Sequence, residues 1–170
     1  MALSKIDTAA IATDAIEAAQ LKSDAVTAGD LPANTVLKIY RDTATTQVQP
    51  STTVYSDIGL EITLTPRDAN SKFLLQGEIF WLDGGGSGWH GGNYRFVRGS
   101  TTVHVPAYSL SLGAINGSTS FFHRNMVTYL DSPAPASSIT YKVKVYNYDT
   151  NVYWCYGTGP SNFTIYEIAG

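Results

Sequence analysis

The stretch most suggestive of chemistry is residues 83–92, Asp83-Gly84-Gly85-Gly86-Ser87-Gly88-Trp89-His90-Gly91-Gly92. A glycine-rich loop cradles phosphate when a Lys-Ser/Thr pair and a helix follow it, and neither follows here. A serine nucleophile on a tight elbow needs glycine two residues later, where this chain has Trp89. What remains is a strand connection, or a recognition loop that offers Trp89 as a flat aromatic surface for a sugar. A second aromatic group follows at Tyr146, Tyr148, Tyr153, Trp154 and Tyr156, across a predicted hairpin. Tyrosine and tryptophan suit positions that are dry at one end and wet at the other, so this group reads as core or subunit interface. Glycan binding by Trp89, Tyr153, Trp154 and Tyr156 is the alternative.

Other reactive side chains are dispersed. His90, His104 and His123 lack the close spacing of metal-site motifs. Glu61 and Glu78 are the carboxylates to weigh as an acid and base, but both fall on strand-like positions with no sign of a cleft, which favours an inert role. The one cysteine, Cys155, excludes an intrachain disulfide and a cysteine metal cluster, and reads as a small buried apolar group. Asn116-Gly117-Ser118 and Asn162-Phe163-Thr164 match the glycosylation pattern, which carries little weight without a secretory signal. The expectation is a protein that is not an enzyme, with no catalytic residues, no metal and no cofactor.

The elements that would carry these residues are strands. Ile58, Leu60, Ile62 and Leu64 alternate with Gly59, Glu61, Thr63 and Thr65, and Ile139, Tyr141, Val143 and Val145 alternate with Thr140, Lys142, Lys144 and Tyr146. Period two marks half-buried strands. Residues 72–82 (KFLLQGEIFWL) are apolar at both parities and predict a central strand covered on both sides. Gly99-Ser100 between residues 93–98 and 101–105 is a glycine-first hairpin signal. Residues 120–130, 152–156 and 162–168 are further strands. Pro133 and Pro135 place a loop after the first of these. Eight or nine strands with no helix between them predict an all-β fold, a jelly-roll-like β-sandwich over 37–170.

Residues 1–36 differ. Ile6, Ile11, Ile16, Leu21, Val26, Leu31 and Val36 recur every five residues. Five steps turn an α-helix by about 500°, which scatters the anchors around its axis, and on a strand an odd step flips the face each time. The segment reads as an attachment arm that orders on a neighbour, with a local helix over part of 9–22 as the competing reading. Gly29, Pro32 and Asn34 mark a hinge at its end.

Composition narrows the partners. Charged residues make up 15% of the chain and the net charge is -3, which argues against nucleic acid, whose phosphates demand Lys and Arg. No apolar run reaches the roughly 20 residues of a membrane-spanning helix, and no signal peptide is evident at the N-terminus. Synthesis in a cytoplasm without membrane insertion is expected.

Three segments then carry a resemblance. Residues 52–60 (TTVYSDIGL), 62–66 (ITLTP) and 70–75 (NSKFLL) resemble a recurrent module of tailed-phage virion structural proteins, cyanophage types included. Residues 163–170 (FTIYEIAG) are similar to its closing strand, and Asp14-Ala15-Ile16 and Asp24-Ala25-Val26-Thr27 resemble segments that precede such modules. The resemblance covers about half the chain. It implies a homotrimeric β-sandwich on the outer capsid surface of a virion. The role would be a decoration or cement protein, its arm residues Ile6, Ile11, Ile16, Leu21, Val26 and Leu31 seated on the major capsid protein. The alternative is a short fibre or spike tip that binds host surface glycans.

Overall fold

The computed structural model describes residues 26–50, 54–84, 90–106, 110–112, 120–133, 137–148, 151–155 and 159–170. After a short 3-10 turn at Ala28–Asp30 come β1 (Val36–Ala44), β2 (Ser56–Leu64), β3 (Lys72–Asp83), β4 (His90–Arg98) and β5 (Thr101–His104). They are followed by β6 (Leu110–Leu112), β7 (Phe121–Asp131), β8 (Ile139–Asn147), β9 (Val152–Trp154) and β10 (Ser161–Ile168). Sheet A runs β1-β10-β3-β7 with β9 beside the end of β3, and sheet B runs β2-β8-β4-β5 with β6 beside β4. Every pairing is antiparallel. Consecutive strands cross repeatedly from one sheet to the other, which is the wrapping of a jelly roll. The all-β sandwich expected from the alternation is the observed fold.

Between the sheets lies the core that the period-two pattern foretells. Ile58, Leu60, Ile62 and Leu64 of β2 and Tyr141, Val143 and Val145 of β8, from sheet B, meet Phe73, Leu75 and Ile79 of β3 and Phe163 and Ile165 of β10, from sheet A. Most of these are fully buried, and each large side chain contributes roughly 1.5–3 kcal/mol. Turns follow their residues: Gly99 takes φ 57 in the two-residue β4–β5 loop, and Gly59 takes φ 82 where the β2–β8 register shifts.

Buried polar groups close the sandwich at both ends. At one end Glu167 accepts from Ser71 Oγ (2.8 Å), Tyr40 Oη (3.1 Å) and the Arg67 backbone, and Asp131 accepts from Arg98 (2.6 Å) and Tyr141 (2.7 Å). Burial, then the Glu167 charge, pushes the Tyr40 phenol up to about 12, and burial with the Asp131 bond raises Tyr141 further. At the other end Asn147 accepts from Trp154 Nε1 (2.6 Å) and donates to the carbonyls of Val152 and Pro50.

The structure departs from expectation in three places. Residues 146–156 are not a hairpin, because β8 belongs to sheet B and β9 pairs with β3 in sheet A. β3 is not covered on both sides: Leu74, Gln76, Glu78 and Phe80 are half-buried on the outside of the sandwich. Its apolar outer positions therefore have another cause. β6 is a strand that the sequence pattern did not mark.

Candidate functional surfaces

The residues singled out for chemistry do not converge. Glu61 projects from the outside of sheet B and pairs with Lys142 at 2.6 Å. Glu78 projects from the outside of sheet A, bonded by Arg124 and Asn162, which hold its carboxyl below the usual range. The two lie on opposite faces of the molecule and cannot share a substrate. His123 stacks on Trp81 at 4.3 Å and His104 on Tyr129 at 4.6 Å, and burial lowers the pKa of both. Among the described residues no three His, Cys, Asp or Glu side chains gather as a metal site. Cys155 is buried, and burial raises its thiol pKa.

The proposed glycan-binding set is divided. Trp154 is 0% exposed, its ring 6.0 Å from that of Trp81 and its N–H taken by Asn147, so it belongs to the core and is closed to a sugar. The physical reason is that β9 inserts against β3 rather than hairpinning with β8. Tyr153 is half-buried on the other side of β9. Trp89 and Tyr156 lie outside the described residues, as do Ile6, Ile11, Ile16 and Leu21 of the arm. Of the remaining anchors Val26 is exposed by 58% and Leu31 by 36%. Among the described residues, the chain is joined to the end of β10 just after them, by Asn34 N–H to the Ala169 carbonyl and Ala169 N–H to the Thr35 carbonyl.

The outer faces of the two sheets differ in chemistry. On sheet B, cross-strand ion pairs Lys142–Glu61 and Lys144–Asp57 and the Thr63–Thr140 bond make a solvated surface. On sheet A, the ladder registers align Ile39, Tyr166, Leu74 and Leu130 in one apolar row across β1, β10, β3 and β7. Further along β7, Phe122 stacks on Phe80 at 5.9 Å, and Met126 stands 64% exposed. Between these apolar groups the charges are already satisfied: Arg124 bonds Glu78, Glu78 bonds Asn162, and Asn162 bonds Arg41 and Thr43. No described strand pairs with the outer edge of β7. β7 is thus an edge strand of 11 residues without proline that bears exposed Phe122, Met126 and Leu130.

A separate patch sits at one end of sheet B. Tyr55, just before β2, has its ring 5.4 Å from Tyr146, which meets Tyr148 edge-on at 5.7 Å. The Arg95 guanidinium of β4 lies 4.0 Å over the Tyr55 ring. Tyr148 is 48% exposed. Alternation could have placed Tyr146 on the outer face, but only the three-dimensional fold brings Tyr55 and Arg95 beside it.

No protein-family model matches the chain, and no curated protein matches it. Among solved structures it is similar to a chain in the structure of infectious bursal disease virus, Gx strain. The TM-score is 0.39 and the identity 13%, over 78% of this chain and 38% of that one. The present chain thus spans under two fifths of the length of that neighbour.

Proposed function

We propose that this chain is a phage virion structural protein. It is a homotrimeric cement or decoration protein on the outer capsid surface, fastened by residues 1–36 to the major capsid protein. It acts by burial rather than catalysis and uses no cofactor, nucleic acid or membrane insertion. The observation that carries the reading is the apolar outer face of sheet A beside the point where the arm joins. Ile39, the first residue of the apolar row, lies three residues after Val36, where the arm gives way to β1. Four strands at about 4.8 Å spacing and about eight residues of length give roughly 500 Å² per copy. Three such faces turned toward a common threefold axis cover about 1,500 Å² in all, a size within the range of specific contacts. The paired charges between the apolar groups let one copy meet another without like-charge repulsion.

The sequence resemblance to phage modules supports the virion setting, and the exposed Val26 and Leu31 support attachment through the arm. Removing residues 2–31 spares the Asn34–Ala169 clasp, so the shortened chain is expected to stay folded and self-associated while losing its hold on capsids. Capsids decorated equally well by the shortened chain would refute the attachment role. A second reading, contact with a host surface glycan, is favoured by the Tyr55–Tyr146–Tyr148 patch, and is compatible with the first.

A further inference from the structure

We infer that the patch formed by Arg95, Tyr55, Tyr146 and Tyr148 binds an acidic saccharide unit, a pyranose carrying a carboxylate. The inference rests on the glycan-contact reading and specifies which sugars it concerns. Arg95 is the reason. Its guanidinium is half-buried, its Nε is shielded from solvent without an acceptor, and no carboxylate among the described residues pairs with it. The shielded Nε is out of a ligand's reach, but with no carboxylate beside it the half-buried guanidinium keeps an uncompensated charge that an acceptor at its accessible side would offset. Its cross-strand neighbour is Lys144, a like charge directly opposite, and the nearby Asp57 is engaged by that lysine. Opposed cations raise the local potential and favour an incoming anion.

Tyr55 holds the guanidinium by its ring face and so fixes its plane, which suits a planar, two-oxygen acceptor such as a carboxylate better than a point charge. Beside it, Tyr146 and Tyr148 supply apolar ring surface for the C–H face of a pyranose. None of the hydroxyls of Tyr55, Tyr146 and Tyr148 is bonded to another described group, so they can serve sugar hydroxyls. The rest of sheet B's outer face is neutralised by its own ion pairs, which confines the unsatisfied charge to this end.

The test measures binding of the full chain, by calorimetry and by ligand-observed NMR, to an oligouronate and to a neutral glucan of equal length. Sodium sulfate serves as a plain anion. The expected result is oligouronate binding at least about tenfold tighter than glucan binding, weakened by added salt. Arg95→Gln should abolish that preference, and Tyr148→Ala should weaken binding of both sugars. Thermal melting of each variant establishes that it is folded, and Arg95→Lys, which keeps charge but not the fork, should recover only part of the preference. Equal binding of uronate and glucan, or an Arg95→Gln variant unchanged toward uronate, overturns the inference and leaves glycan contact standing. Sulfate binding as tight as uronate overturns it in favour of a simple anion site. No binding of either sugar removes the glycan-contact reading as well.

Discussion

On the proposed packing of copies through sheet A, placing one charge in its apolar row should weaken the association without unfolding the sandwich. Leu130 ends that row, 50% exposed and paired with Leu74 across the sheet. Full burial of a leucine side chain contributes roughly 1.5–3 kcal/mol, so covering its remaining exposed half contributes about 1 kcal/mol. Leu130→Glu removes that contribution and leaves a carboxylate without a partner in a desolvated contact, a further cost of about 2 kcal/mol. The sum, about 3 kcal/mol, corresponds to roughly a 100-fold weaker contact. In the isolated chain the same side chain faces water, and the change should cost under about 1 kcal/mol. Sedimentation velocity across a concentration series reads the first quantity and urea unfolding the second. Thr63→Glu, on the solvated face of sheet B, is the control and should leave the association unchanged. Association of Leu130→Glu within threefold of the parent chain would refute the reasoning. So would a parent chain that stays monomeric at tens of micromolar, or a Thr63→Glu chain that falls apart.

Other consequences follow from single contacts. Asn147→Ala strips the acceptor from buried Trp154 Nε1 and the donor from two carbonyls, and should cost about 2–4 kcal/mol in urea unfolding. A methyl at Gly92 would come 2.5 Å from the Tyr146 carbonyl and 2.6 Å from the Trp154 ring. Gly92→Ala should therefore destabilise by at least about 1–3 kcal/mol, because one obstacle is backbone and the other is core. Burial lowers the pKa of His123 and His104 from 6.5, with Asp83 partly opposing the effect at His123. The unfolded chain then takes up protons that the fold refuses, so this share of stability is complete above pH 6.5 and declines as pH falls below it. Urea midpoints at pH 7.5 and 5.5 should differ in that direction, and His123→Gln should shrink the difference. In alkali the sign reverses for tyrosine. Of the 11 tyrosines, Tyr40 and Tyr94 are raised to about 12. Absorbance at about 295 nm should therefore show a fraction that ionises only well above the ordinary value of about 10, with stability lost as pH rises through that range.

How legible each feature was depends on the physical range of the interaction that creates it. Alternation in β2 and β8 was readable because burial of one face repeats every second residue within a single strand, and Ile58, Leu60, Tyr141 and Val143 are buried accordingly. Gly99 announced its turn because a positive φ is a local demand. The apolar parity of both faces of β3 was also visible, but its meaning was not: a strand covered by a second layer and a strand with one apolar face half in the open have the same pattern, and β3 is the second. Trp154 illustrates the other failure. Its place in the core depends on β9 pairing with β3, some 70 residues earlier in the chain. Nothing in residues 146–156 distinguishes that pairing from a local hairpin. The Arg95 patch was invisible for the same reason, since Tyr55, Arg95 and Tyr148 come from three separate stretches.

Strand direction gives the two surfaces a relation that neither has alone. The arm joins at the start of β1, beside the end of β10 at Ile168, and the row from Ile39 to Leu130 crosses sheet A at that same end. β1 then runs the length of the sandwich before the chain turns into β2, so Tyr55 stands at the opposite end. Tyr146 and Tyr148 stand there too, at the finish of β8, and Arg95 lies opposite Lys144 in the strand beside it. The tyrosine patch is therefore on the other sheet from the apolar row and at the other end from the start of β1. A protein fastened through residues 1–36 and packed on its copies through sheet A would keep sheet B outermost and hold the patch away from its support. Attachment and sugar contact would then not compete for surface. This arrangement predicts that Leu130→Glu leaves uronate binding per chain unchanged, whereas Arg95→Gln leaves assembly unchanged. Loss of both properties from either substitution would show that the two surfaces are one.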